Sequence, residues 1–120
     1  MEYVGLTLQV IVAFGLLNVW LLRSGKPTRY RGNGAASMRE EFAAYGLPAG
    51  VMRVVGTLKV TVALALLLGV WIPAVVFPAA ILLIILMVGA FLMHLKVKDP
   101  FERSIPSLLM LGMAIALIVL

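Results

Sequence analysis

Four long apolar runs, joined by three connections, are the feature that most restricts what this chain can become. They fall at about residues 3–22, 48–71, 73–95 and 105–120. Roughly 20 apolar residues in a helix cross a hydrocarbon core about 30 Å thick. With 63% hydrophobic residues and a mean hydropathy of +1.13, the chain carries more apolar surface than a soluble domain of 120 residues can bury. The expected architecture is all-α: a single-domain, integral membrane four-helix bundle over residues 1–120. The first run is unlike a signal peptide, because it opens on Glu2 rather than a basic cluster and is too long for a signal-type core. The fourth is short, so its outer end is expected to fray or to sit in a thinned bilayer. There is no cysteine, which excludes thiol chemistry and cysteine metal sites.

Most of the charge falls in the connections. The first loop holds Arg23, Lys26, Arg29, Arg31 and Arg39, and the third holds Lys96, Lys98 and Arg103. The Trp71-Ile72-Pro73 turn and the two termini hold no lysine or arginine. The net charge of +5 is therefore a topology signal more than a nucleic-acid footprint. Positive-inside bias places the first and third loops in the cytoplasm and both termini outside. The expected location is the inner membrane of a bacterium. The basic run Arg23 to Arg31 reads as that signal together with anionic-lipid contact.

Inside the first loop, GKPTRYRGNG reads as extended or turning chain. Ser37-Met38-Arg39-Glu40 follows as a capping box, with Met38, Phe42 and Tyr45 at helical spacing and Gly46 as a stop. This predicts a short amphipathic interfacial helix.

Two cations interrupt the second run, VMRVVGTLKVTVALALLLGVW. Counting about 1.5 Å per residue from Trp71, Lys59 lies roughly 18 Å deep and Arg53 roughly 27 Å. Arg53 then snorkels at the inner boundary as an anchor. Lys59 lies on the order of 12 Å short of that boundary, further than its stem comfortably reaches. Two readings remain for it, snorkelling with helix tilt or membership of an interior polar cluster. The core spans contain no carboxylate to pair with it. Asn18 is expected at a similar level, roughly 22 Å in, with Gln9, Thr57 and Thr61 the other polar groups at depth. Glu40 and Glu41 reach Lys59 only if the loop helix tucks against the bundle mouth. His94, roughly 31 Å from the outer turn, falls beside Arg53, either as a cap near a helix C-terminus or as a ligand to a haem or chlorophyll metal. Gly56, Gly69, Gly89, Ala90 and Gly112 suit close helix packing.

The chain lacks the glycine spacing of a phosphate-binding loop, a dinucleotide fingerprint, the ligands of a zinc site and a hydrolytic triad. Nor do two interrupted spans suggest a transporter repeat. Autonomous catalysis is not expected, and neither a catalytic residue nor a metal site is assigned.

NVWLLRSGKPTRYRG, REEFAAYGLP, VGTLKV, LMVGAFLMHLKVKDP and SIPSLL, in this order and spacing, resemble the DoxX-like small membrane proteins over nearly the whole chain. The resemblance implies a four-helix membrane bundle. The family is named for a subunit associated with a terminal quinol oxidase and thiosulfate:quinone oxidoreduction, and most members have no established activity. Many members carry a glutamate where this chain has Lys59, so a mechanism resting on that carboxylate does not transfer. The bundle is also similar to the sterol-isomerase and sigma-2-receptor type, which encloses an apolar ligand pocket. The paired acids of those proteins are unmatched in the spans here, and isomerase activity does not carry over.

The functional expectation is a non-catalytic or accessory membrane component that binds a quinone, lipid or other amphipathic ligand. Candidate ligand-binding residues are Lys59, Asn18, His94, Arg53, Glu40 and Glu41. No cofactor is required by the sequence. The expected partners are the lipid bilayer and a larger membrane complex or a homo-oligomer, with no nucleic acid. The alternatives are a structural subunit of a respiratory or photosynthetic complex and, below it, a quinone-linked oxidoreductase subunit.

Overall fold

The computed structural model describes residues 2–23, 25, 30 and 32–120. Lys26, Arg29 and Arg31 of the basic run, and with them half of GKPTRYRGNG, lie outside the described residues. The helices are α1 (Glu2–Leu17), α2 (Met38–Ala44), α3 (Ala49–Leu68), α4 (Val76–Lys96) and α5 (Ile105–Val119), with no strand among the described residues. Four segments are long and apolar enough to cross a membrane: Tyr3–Leu22, Ala49–Leu68, Pro73–Lys96 and Phe101–Val119. The long axis of 39 Å exceeds the roughly 30 Å hydrocarbon thickness. Large apolar side chains such as Phe14, Leu64, Phe77, Ile85 and Leu109 point outward and exposed. A surface of this kind suits lipid, where outward apolar groups cost nothing.

The four long helices form a ring in which α1 packs on α3, α3 on α4, α4 on α5 and α5 on α1, with α4 against α5 the most extensive. The ring is tightest towards the Trp71 end. There Val12, Ala13, Leu16, Val62, Ala63, Leu66, Ala79, Leu83, Met87 and Ala114 make one buried cluster. Small residues from all four helices meet in it, which permits the close approach that membrane bundles rely on. Gln9 is buried beside it and its Nε2 donates to the Leu66 carbonyl at 3.1 Å, so this polar group has a protein partner.

Helix α3 stops at Leu68, where Gly69 forms the C-cap, and Val70 to Ile72 turn back before Pro73 opens a short 3-10 segment leading into α4. Hydropathy alone carries the second run on to Trp71, because this turn is as apolar as the helix. At the other end α2 forms as the capping residues dictate. Ser37 Oγ accepts from the Glu40 amide at 3.2 Å, while Glu40 Oε2 accepts from the Ala36 amide at 2.7 Å, one residue before the cap. Two bonds close its C-terminus, Leu47 N to Phe42 O and Gly46 N to Ala43 O, with Gly46 at φ +78°. This six-to-one, five-to-two pair is the Schellman arrangement. The buried side of α2, Met38, Glu41, Phe42 and Tyr45, faces the mouth of the bundle.

Candidate functional site

Packing loosens at the basic end, and a cavity of about 770 Å³ opens there. Its wall draws on the end of α1, on α2, and on the facing sides of α3, α4 and α5. Three local features make the space. First, α1 does not continue as an α-helix: Asn18–Leu22 forms a π turn, closed by Arg23 N donating to Asn18 O at 3.0 Å. Such widened turns recur at functional sites because they re-aim side chains. Here Asn18, Val19 and Trp20 all contribute to the cavity wall. Second, Gly89 and Ala90 on α4 present almost no side chain; a Cβ at Gly89 would meet nothing within 4 Å. Third, α2 crosses the opening as a cover, bringing Met38, Glu41, Phe42 and Tyr45 to the wall.

Of the six candidate residues read from the sequence, the fold brings four to this cavity: Asn18, Glu41, Lys59 and His94. Arg53 is exposed and lines a separate hollow of about 650 Å³ with Thr57 and Thr61. Glu40 is exposed and occupied at the N-terminus of α2.

Lys59 Nζ lies 5.3 Å from the centroid of the Trp20 ring. Trp20 reaches this place because Gly56, three residues before Lys59, has no side chain; a Cβ there would stand 2.7 Å from two carbons of the ring. Among the described residues the ammonium makes no hydrogen bond and no ion pair within 4.0 Å, and Glu41 acts on it only through space. Magnitudes show what this leaves over. A cation over an aromatic face gains about 0.5–2 kcal/mol. Placing a lysine mid-membrane costs about 2.5–3.5 kcal/mol on insertion scales. The ring offsets only part of the cost, and three N–H donors still face a largely apolar space.

Glu41 is committed elsewhere. Its Oε1 accepts from the Tyr45 hydroxyl at 2.6 Å and from the Gly32 amide at 2.9 Å, both buried. Gly32 is required for this approach, since a Cβ there would overlap the Tyr45 ring. The segment before α2 is thus pinned to the cover helix by one carboxylate. Lys96, at the end of α4, donates to the Tyr45 carbonyl at 2.7 Å and ties the other end of α2 to the bundle.

An aromatic path runs from Trp20 to Phe42 (centroids 6.0 Å apart), to Tyr45 (5.9 Å) and to the His94 imidazole (6.2 Å). His94 is buried at the last turn of α4 and its Nδ1 bonds to Asp99 Oδ2 at 2.8 Å. The other oxygen, Asp99 Oδ1, accepts from Arg103 at 2.7 Å. A carboxylate only accepts, so the His94 proton resides on Nδ1. This His94-Asp99-Arg103 cluster fastens the third connection beneath the cavity. Among the described residues no group of three His, Cys, Asp or Glu side chains is arranged to hold a metal.

Reading the sequence missed Trp20 and Asp99, and placed Tyr45 on the apolar face of the loop helix without assigning it to the site. The signal for Glu41 over Glu40 was present: Met38, Glu41, Phe42 and Tyr45 follow the i, i+3, i+4, i+7 spacing of one helix face, and Glu40 falls off it. Asp99 was also placed to bind Arg103, four residues later. Trp20 had no comparable mark, because its position depends on the π turn.

The model of the DoxX-like family matches residues 7–118, which take in nearly all of the four spans and the whole cavity wall. The chain belongs to the DoxX-like family. It is an integral membrane protein with the four-helix architecture described above. No curated protein and no solved structure matches it.

Proposed function

We propose that this DoxX-like protein is a non-catalytic, accessory binding component of its membrane that holds a quinone, lipid or related amphipathic molecule in the cavity beneath α2. The observation that carries this reading is Lys59, whose ammonium faces a mostly apolar space of about 770 Å³ with no acceptor among the described residues. That volume lies within the roughly 300–1,000 Å³ of small-molecule sites, which combine apolar walls with a few orienting polar groups. Asn18 and His94 contribute further polar groups to the same wall. Ile85 of α4 lines the cavity and is also exposed, which gives an apolar tail a way to the bilayer. In the membrane the basic end, with α2, faces the cytoplasm and both termini face the opposite side, following the distribution of lysine and arginine.

Native mass spectrometry of the protein extracted with its own lipids tests the reading. The wild type is expected to retain a lipid or quinone in stoichiometric amount, and Lys59→Met to lose it. Equal retention by both proteins would remove the basis for a site at Lys59.

A further inference from the structure

We infer that the ligand is an acid: an amphiphile with an anionic carboxylate or phosphate head and a single apolar chain, its head held by Lys59. The inference rests on the binding reading above and narrows it to one chemical class. Charge at the cavity wall is its basis. Lys59 shares this wall with Arg23, Arg103 and one carboxylate, Glu41. That carboxylate is already occupied by the Tyr45 hydroxyl and the Gly32 amide. Arg103 is likewise held by Asp99. Lys59 therefore has donors to spare at the place where the wall is otherwise apolar, and an ionised head satisfies them with charge-assisted bonds roughly twice as strong as those a neutral carbonyl offers. A neutral quinone would leave the ammonium uncompensated in the membrane, a state that intramembrane cations avoid by pairing.

The direction of the tail follows from the fold. The core towards the Trp71 end is closed by Leu16, Met87 and the residues beyond them, so a chain cannot run down the bundle axis. It leaves sideways on the side of α4, past Ile85, which lines the cavity and is exposed.

Binding to the protein in nanodiscs of zwitterionic lipid tests this with matched probes. Oleate is compared with oleyl alcohol, and lysophosphatidate with monoolein, so that only the head differs within each pair. The wild type is expected to bind at least one acid about tenfold or more tightly than its neutral partner, equivalent to about 1.4 kcal/mol. The pair that shows the preference identifies the head as carboxylate or phosphate. Lys59→Met should erase the preference while leaving the neutral probe bound, and Lys59→Arg should keep it. Gly89→Leu, which fills the cavity without changing its charge, should weaken acid and neutral probes alike. Equal binding of acid and neutral probes by the wild type overturns the acid assignment and leaves the binding site standing. Failure of every probe to bind, or indifference of all of them to Gly89→Leu, overturns both.

Discussion

The Lys59 ammonium stands 5.3 Å from the centroid of the Trp20 ring, over a stretch of α3 where Gly56 has no side chain to keep the indole away. Glycine, ring and cation form one packed unit at the cavity wall, and each member sets the position of the next. Gly56→Ala is expected to break it. In an ordinary helix interior the change would gain up to about 1 kcal/mol from propensity. Here the new Cβ would lie 2.7 Å from the ring, and overpacking of that kind costs about 1–3 kcal/mol. The expected result is a lower melting temperature in detergent and a shifted Trp20 emission in a Trp71→Phe background. Gly89→Ala is the control: nothing stands within 4 Å of its Cβ, so it should hold or raise stability by about 0.5–1 kcal/mol. Two variants melting alike would show that the ring does not rest on Gly56.

The contact itself is measurable by a double-mutant cycle. Lys59→Met and Trp20→Leu, singly and together, should show a coupling of about 0.5–2 kcal/mol in unfolding free energy. Lys59→Met alone is expected to stabilise the ligand-free bundle, because it removes a cation whose burial the ring only partly offsets. Additive single effects would mean that the cation draws nothing from the ring.

How much of this was legible in the sequence differs from element to element. The four apolar spans were, because a span needs only length and hydropathy. The α2 helix was too, since Ser37, Glu40 and Gly46 mark its ends by local chemistry that tertiary packing does not alter. The Trp71-Ile72-Pro73 turn was legible but not its start, because Gly69 and Val70 continue an apolar run and only Gly69 marks the stop after Leu68. The site was half readable. Depth counting finds Lys59 and Asn18, since rise per residue is a property of any helix. It cannot find Trp20, which depends on the five-residue hydrogen bond that widens the turn at Asn18. Nor does it tell that Glu41, nearest in charge to Lys59, is held by Tyr45 and Gly32.

Lys98 sits at φ +57° as the left-handed residue that ends α4, with Asp99 N bonded to His94 O and Lys98 N to Leu95 O. This is the position glycine usually takes, and a side chain there costs on the order of 1 kcal/mol. Lys98→Gly is therefore expected to raise stability by up to about 1 kcal/mol, seen as a higher melting temperature. Lys98→Val, branched at Cβ, should lower it. The opposite order would mean that the Lys98 side chain holds a contact worth more than the strain.

The Asp99 side chain is 2% exposed, held between the His94 ring and Arg103. Asp99→Ala leaves Arg103 without its carboxylate and His94 without its acceptor. Breaking a fully buried charged pair from one side costs about 3–5 kcal/mol, and the loss here falls below that because Arg103 keeps part of its surface in solvent. Asp99→Asn should cost less, for a specific reason. The amide offers one oxygen and one N–H₂ group where the carboxylate offered two acceptors. Arg103 cannot give up its proton, so the amide oxygen must turn to it and the N–H₂ to His94. The imidazole accepts that donor by moving its own proton from Nδ1 to Nε2, a change open to a neutral histidine. Nitrogen-15 spectra of the labelled imidazole should accordingly show the Nδ1–H tautomer in the wild type and the Nε2–H tautomer in Asp99→Asn. The melting temperatures should rank wild type above Asp99→Asn above Asp99→Ala. An unchanged tautomer in Asp99→Asn would show that His94 takes its orientation from the Tyr45 ring 6.2 Å away rather than from the carboxylate.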